Sequence, residues 1–86
     1  MHEMGVAMEI CRIAEAHTGS AGASRLRRVA VVVGNDAAVE PSSLEFCLEA
    51  LLGQPPFGAA RAEIVREPGD ALRVDYLEVD DGCAGD

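Results

Sequence analysis

The chain opens MHEMGVAMEI, with a histidine directly behind the initiator methionine. A free α-amine, the amide nitrogens of residues 2 and 3, and an imidazole then lie within one turn of chain. The amine and the successive amides form five-membered chelate rings about a single ion, and the His2 ring reaches the remaining corner of the plane. Peptide nitrogens surrender their protons only to a strongly polarising ion that accepts square-planar geometry, which selects Ni(II) or Cu(II) over zinc and magnesium. The candidate ligands are therefore Met1, His2 and Glu3. Histidine is too bulky at position 2 for ordinary methionine excision, so the Met1 amine is expected to stay in place. A blander reading stands beside this one: His2 solvated at a frayed terminus, and Glu3 a carboxylate favoured by the positive end of a helix. The Met1-His2 dyad alone favours that second reading.

Other chemistry is harder to place. Cys11, Cys47 and Cys83 stand far apart, with no CxxC pair and no adjacent histidine, so a zinc ribbon is not encoded. Cys11 and Cys47 fall in helical apolar patterns, where small buried thiols are common. VGNDAAVEP lacks the Lys-Ser/Thr element of a phosphate loop. Ser42 and Ser43 have no histidine close in sequence and read as capping residues. Asp75, Glu78, Asp80 and Asp81 lack the spacing of a calcium loop and read as a solvated acidic face. His17 is fifteen residues beyond His2; at about 1.5 Å per residue it sits roughly 20 Å away on a continuous helix, too far to share an ion. It reads as a cation near the helix C-terminus.

The elements that must position the terminus follow from patterning. From Met4 to His17, Met4, Ala7, Met8, Cys11 and Ala14 recur at helical spacing, widened by Ile10 and Ile13, with Gly5, Glu9, Arg12 and Ala16 opposite. This helix is expected to stop near Thr18-Gly19-Ser20, and TGSAGAS reads as a connection. LRRVAVVV over Leu26 to Val33 fits a central strand covered on both faces, ended by Gly34-Asn35-Asp36. Pro41 suits the first position of a second helix, Ser42 and Glu45 have capping-box spacing, and Leu44, Cys47, Leu48, Leu51 and Leu52 form its buried stripe. Gly53 and Pro55-Pro56 end it, and Phe57 is expected to fold down as a lid. Ala62 to Arg66 and Leu72 to Val79 read as a hairpin about Glu67-Pro68-Gly69-Asp70. Leu72 and Val74 alternate out of phase with Leu77 and Val79, and a bulge near Asp75-Tyr76 would bring all four to the core. The expected order is α-β-α-β-β, an α/β (α+β) two-layer sandwich of a three-stranded sheet and two helices.

Eighty-six residues make one small domain, with 49% apolar residues but only 3% aromatic, so Val, Leu, Ile, Ala and Met must build the core. A net charge of −8 argues against nucleic acid or an anionic membrane as main partner. No apolar run approaches a membrane span, and MHEMGV has neither the basic region nor the cleavage site of a secretory signal, so a cytoplasmic protein is expected.

MHEMGVAMEI, RVAVVVGNDAAVEPSSLEFCLEAL, and ARAEIVREPG followed by LRVDYLEVDD together resemble the HypA family of nickel-incorporation proteins, metallochaperones for [NiFe]-hydrogenase and, in some organisms, urease. The resemblance runs to Asp81 and is most specific at Met1-His2-Glu3, at Gly34 with Val39-Glu40-Pro41, and along the last strand. It implies that Met1, His2 and Glu3 hold Ni(II) through nitrogens of the kind above, and it reverses the preference for a merely solvated His2. It also implies a HypB-like GTPase or the hydrogenase large subunit as partner. Members typically insert a zinc domain with two CxxC pairs between the last two strands, where this chain has only Glu67-Pro68-Gly69-Asp70. The expectation is a nickel-binding domain over residues 1–81 without zinc, a disordered tail over 82–86, and no enzymatic activity. The competing expectation is an interaction module that docks on a hydrogenase subunit or maturation GTPase and carries no metal.

Overall fold

A computed structural model describes residues 2–80. Its elements are α1 (Glu3–Ala23), β1 (Leu26–Gly34), α2 (Pro41–Leu52), β2 (Arg61–Glu67) and β3 (Leu72–Val79), in the anticipated α-β-α-β-β order. Met1 and the expected tail over 82–86 lie outside the described residues.

The Val-rich run of β1 is the centre of the sheet, whose strand order is β2-β1-β3. Val29, Val31 and Val33 join the core shared with both helices, and Ala30 and Val32, which alternate with them, are equally buried. Ala30 is flanked in register by Glu63 and Tyr76, and the Tyr76 hydroxyl donates to Glu63 at 2.9 Å across it. A strand apolar on both faces is thereby covered on both.

Strands β2 and β3 do not form the expected hairpin. β1 lies between them, parallel to β2 and antiparallel to β3. The Pro-Gly segment is instead a strap across the C-terminal end of β1: Gly34 N–H donates to the Ala71 carbonyl at 2.7 Å, Asn35 to Glu67 and Asp36 to Gly69, both at 2.8 Å. A short turn signal between two strands looks the same in either arrangement. What excludes the hairpin is burial, because the most apolar strand takes the middle and displaces the two half-buried strands to the edges. The strap passes so close that a Cβ at Gly34 would stand 2.2 Å from the Gly69 carbonyl oxygen.

The β3 register slips between Ala30 and Val31, which face Tyr76 and Val74, so Asp75 is the bulged residue. The bulge returns Leu77 to the core side with Leu72 and Val74, whereas Val79 stays 42% exposed at the strand end. Helix α1 also departs from expectation. It passes Thr18 and resumes to Ala23 after Gly19, whose backbone (φ 77°, ψ 162°) breaks the helical path. Glycine bears that positive φ without a steric penalty, and Ala23 beyond it is fully buried, which explains why the segment returns to helix. Met4 and Met8 are 44% and 58% exposed, so they do not belong to the buried stripe, which Ala7, Ile10, Cys11 and Ala14 form alone. Small residues at 7, 11 and 14 let the helix approach its neighbours closely, and the two long methionine side chains are left at the rim.

Candidate metal centre

Helix α1 begins at Glu3, and His2 is its N-cap, in extended conformation (φ −89°, ψ 120°). The first helical bond runs from Val6 N–H to the His2 carbonyl at 3.1 Å. The amides of residues 2 and 3 thus belong to the set that no helix satisfies internally. The His2 side chain is exposed and makes no capping hydrogen bond. Met1, the expected source of the amine, lies outside the described residues.

Glu3 is half-buried and its side chain is engaged. One carboxylate oxygen accepts from the backbone N–H of Glu40 at 2.9 Å, and that bond is the main cause holding its pKa below the ordinary glutamate value. Glu40 is in turn the N-cap of α2, accepting from Ser43 N–H at 2.7 Å, with Pro41 in the first turn. The capping box expected from Ser42 and Glu45 is replaced by this single Glu40 cap: the helix starts at Pro41, which puts Ser42 inside the first turn and not at the N-cap. Glu40 was the neighbour that the sequence concealed, since 37 residues separate it from Glu3. The available signal was its place before Pro41, where an acceptor side chain caps a helix.

The two helix N-termini and the strap therefore meet at one end of the molecule. Beside His2 a cleft of about 460 Å³ opens between α1 and β3, walled by Val6, Ile10, Ile13, Leu72 and Val74. Among the described residues no three His, Cys, Asp or Glu side chains gather as a metal-holding group. His17 lines a separate stretch of the α1–β3 groove with Tyr76 and Leu77. Cys11 is buried and Cys47 half-buried, as expected for thiols in the core, while Cys83 lies outside the described residues.

Comparison with known proteins identifies the family and the fold. The family model described as "Hydrogenase/urease nickel incorporation, metallochaperone, hypA" matches residues 1–73. The hydrogenase maturation factor HypA of Azotobacter chroococcum is 39% identical over 71 residues, covering 83% of this chain and 63% of that protein. HypA of Chlorobium limicola is 44% identical over 50 residues, 58% of this chain and 43% of the relative. The chain thus spans less than two thirds of the length of these curated relatives. The solution structure of the Ni metallochaperone HypA from Helicobacter pylori shares the fold, with a TM-score of 0.65 at 18% identity over 95% of this chain and 89% of that one. No helix among the described residues is long and apolar enough to cross a membrane. By the match of its family model over most of its length, the chain belongs to the HypA family of hydrogenase and urease nickel-incorporation metallochaperones.

Proposed function

We propose that this chain carries Ni(II) at its amino terminus as cargo for [NiFe]-hydrogenase maturation, with the Met1 amine, the amide nitrogens of His2 and Glu3, and the His2 imidazole as ligands. The observation that carries the reading is the position of the helix start. Because His2 is the N-cap and Glu3 the first helical residue, the two amide protons that nickel must displace hold no intrahelical hydrogen bond, so metal binding does not unwind α1. Two amidates balance the charge of Ni(II), and their negative charge sits where the helix dipole is positive. The imidazole, uncommitted to capping, is free to close the plane.

The Glu3 carboxylate acts by position. Tied to Glu40 N–H, it fixes the first turn and leaves nickel the backbone nitrogen. The cargo is passed without chemistry on the protein, in the cytoplasm, to a HypB-like GTPase or the hydrogenase large subunit, and residues 1–81 act as a nickel-binding unit that needs no zinc of its own.

Calorimetric titration of nickel into three forms of the chain tests this: native terminus, N-terminally acetylated, and His2→Ala. Acetylation converts the amine to an amide and should abolish binding as completely as loss of the imidazole. Equal affinity in all three would discard the terminal site and leave a docking module that carries no metal.

A further inference from the structure

The close approach of α1 through its small residues leaves Met8 at the rim, with its thioether open to solvent. Its side chain is 58% exposed on the rim of a second cleft, of about 600 Å³, whose lining includes the thiol-bearing Cys11 of α1 and Leu51 of α2. Met8 and Cys11 are three residues apart and so share a side of α1. On α2, Cys47 stands one turn before Leu51 on the same side, half-buried and packed against the core that contains Cys11. The axial level of these groups follows from two anchors. Glu3 meets Glu40 at one end, and Glu15 and Gln54 share the cleft at the other, so the helices run parallel. From the Glu3–Glu40 anchor, Cys11 lies about 12 Å and Cys47 about 10.5 Å along their helices at the usual rise. The two thiols are level to within about one residue, with the Met8 thioether one turn above Cys11 and open to solvent.

We propose that Met8, Cys11 and Cys47 form a three-sulfur site for a soft monovalent metal ion, Cu(I), in the seam between α1 and α2. Thiolate and thioether sulfur select Cu(I) among cellular metals, as nitrogen-rich planar sets select Ni(II) and Cu(II). The ion enters past exposed Met8. Each thiol that binds exchanges its proton for a copper–sulfur bond and releases the proton to solvent; copper keeps its oxidation state and no electron moves. Burial pushes the Cys11 thiol up to about 11, so without metal it is neutral and packs as an apolar group. Both thiols are free, and closing on an ion takes rotation of side chains on two fixed helices.

The test uses the full chain, reduced and N-terminally acetylated so that the amino-terminal nitrogens are removed from competition. Cu(I) is offered as its bicinchoninate complex, and bleaching of that chromophore reads transfer to the protein. One copper per chain with sulfur-only neighbours by X-ray absorption is expected. Met8→Leu and Cys47→Ala alter an exposed and a half-buried side chain, and circular dichroism confirms their folding. Each should weaken copper retention by at least about tenfold. Copper left on the chelator, nitrogen or oxygen neighbours in the absorption spectrum, or retention unchanged in either variant would overturn the site.

Discussion

The Glu3 carboxylate accepts the backbone N–H of Glu40 at 2.9 Å, fastening the first turn of α1 to the N-cap of α2. The residue beside the proposed nickel nitrogens is therefore held by the helix that packs alongside it. Glu3→Gln keeps an acceptor oxygen and should retain nickel affinity within a few-fold. Glu3→Ala frees the turn and should weaken binding further. Titration of both variants separates a positioning carboxylate from a ligating one, since a ligand would be lost equally in each.

Gly34→Ala should be among the most damaging single changes. Its Cβ would stand 2.2 Å from the Gly69 carbonyl oxygen and 2.8 Å from the Ala71 nitrogen, both backbone atoms of the strap. We expect a loss of about 3 kcal/mol in urea unfolding. Gly5→Ala, where nothing lies within 4 Å, should be neutral or slightly stabilising, since alanine favours helix.

Leu48 is fully buried between α2 and the sheet, and Leu48→Ala should cost about 2–5 kcal/mol. Met8→Ala, on the exposed rim, should change stability by about 0.5 kcal/mol or less. Similar costs at both positions would mean that α1 packs on a different face.

Glu49 links α2 to β2, accepting from Ala62 N–H at 2.9 Å and from Arg61 at 3.0 Å. The Ala62 N–H, then the Arg61 side chain, lower its pKa from the ordinary value of 4.5. A carboxyl depressed in the folded state adds stability above its unfolded pKa, and that stability is lost as pH falls from about 4.5 through the lower folded value. Glu3 and Glu40 are shifted in the same direction, chiefly by the N–H groups of Glu40 and Ser43. Unfolding curves should therefore be flat from pH 7 to 5 and shift to lower urea below that. Glu49→Gln should flatten the acid side, and an unchanged pH profile in that variant would refute the assignment.

The core closes through apolar packing of α1, β1 and α2. Melting followed by circular dichroism should give the same midpoint in EDTA and in equimolar zinc. A zinc-dependent midpoint would show that metal contributes to the fold.

What the sequence by itself determined was local. The β-branched run Val29 to Val33 could bury both faces only at the centre of a sheet, Pro41 could open but not continue a helix, and the phase slip between Val74 and Leu77 required a bulge. The proposed nitrogen donors of Met1, His2 and Glu3 are a proposal the sequence alone could raise, because adjacent residues make chelate rings wherever the chain goes. The tertiary structure decided what depends on distant partners. Strand order was hidden because a four-residue link reads alike whether it turns a hairpin or straps over a third strand, and only competition for the buried central place decides between them. The exposure of Met4 and Met8 was hidden because helical spacing gives the width of an apolar stripe, not how much of it a neighbour covers. Glu3 was legible as an acid in a first turn; that its carboxylate seats the N-cap of a second helix follows from packing that brings residues 3 and 40 into hydrogen-bond contact.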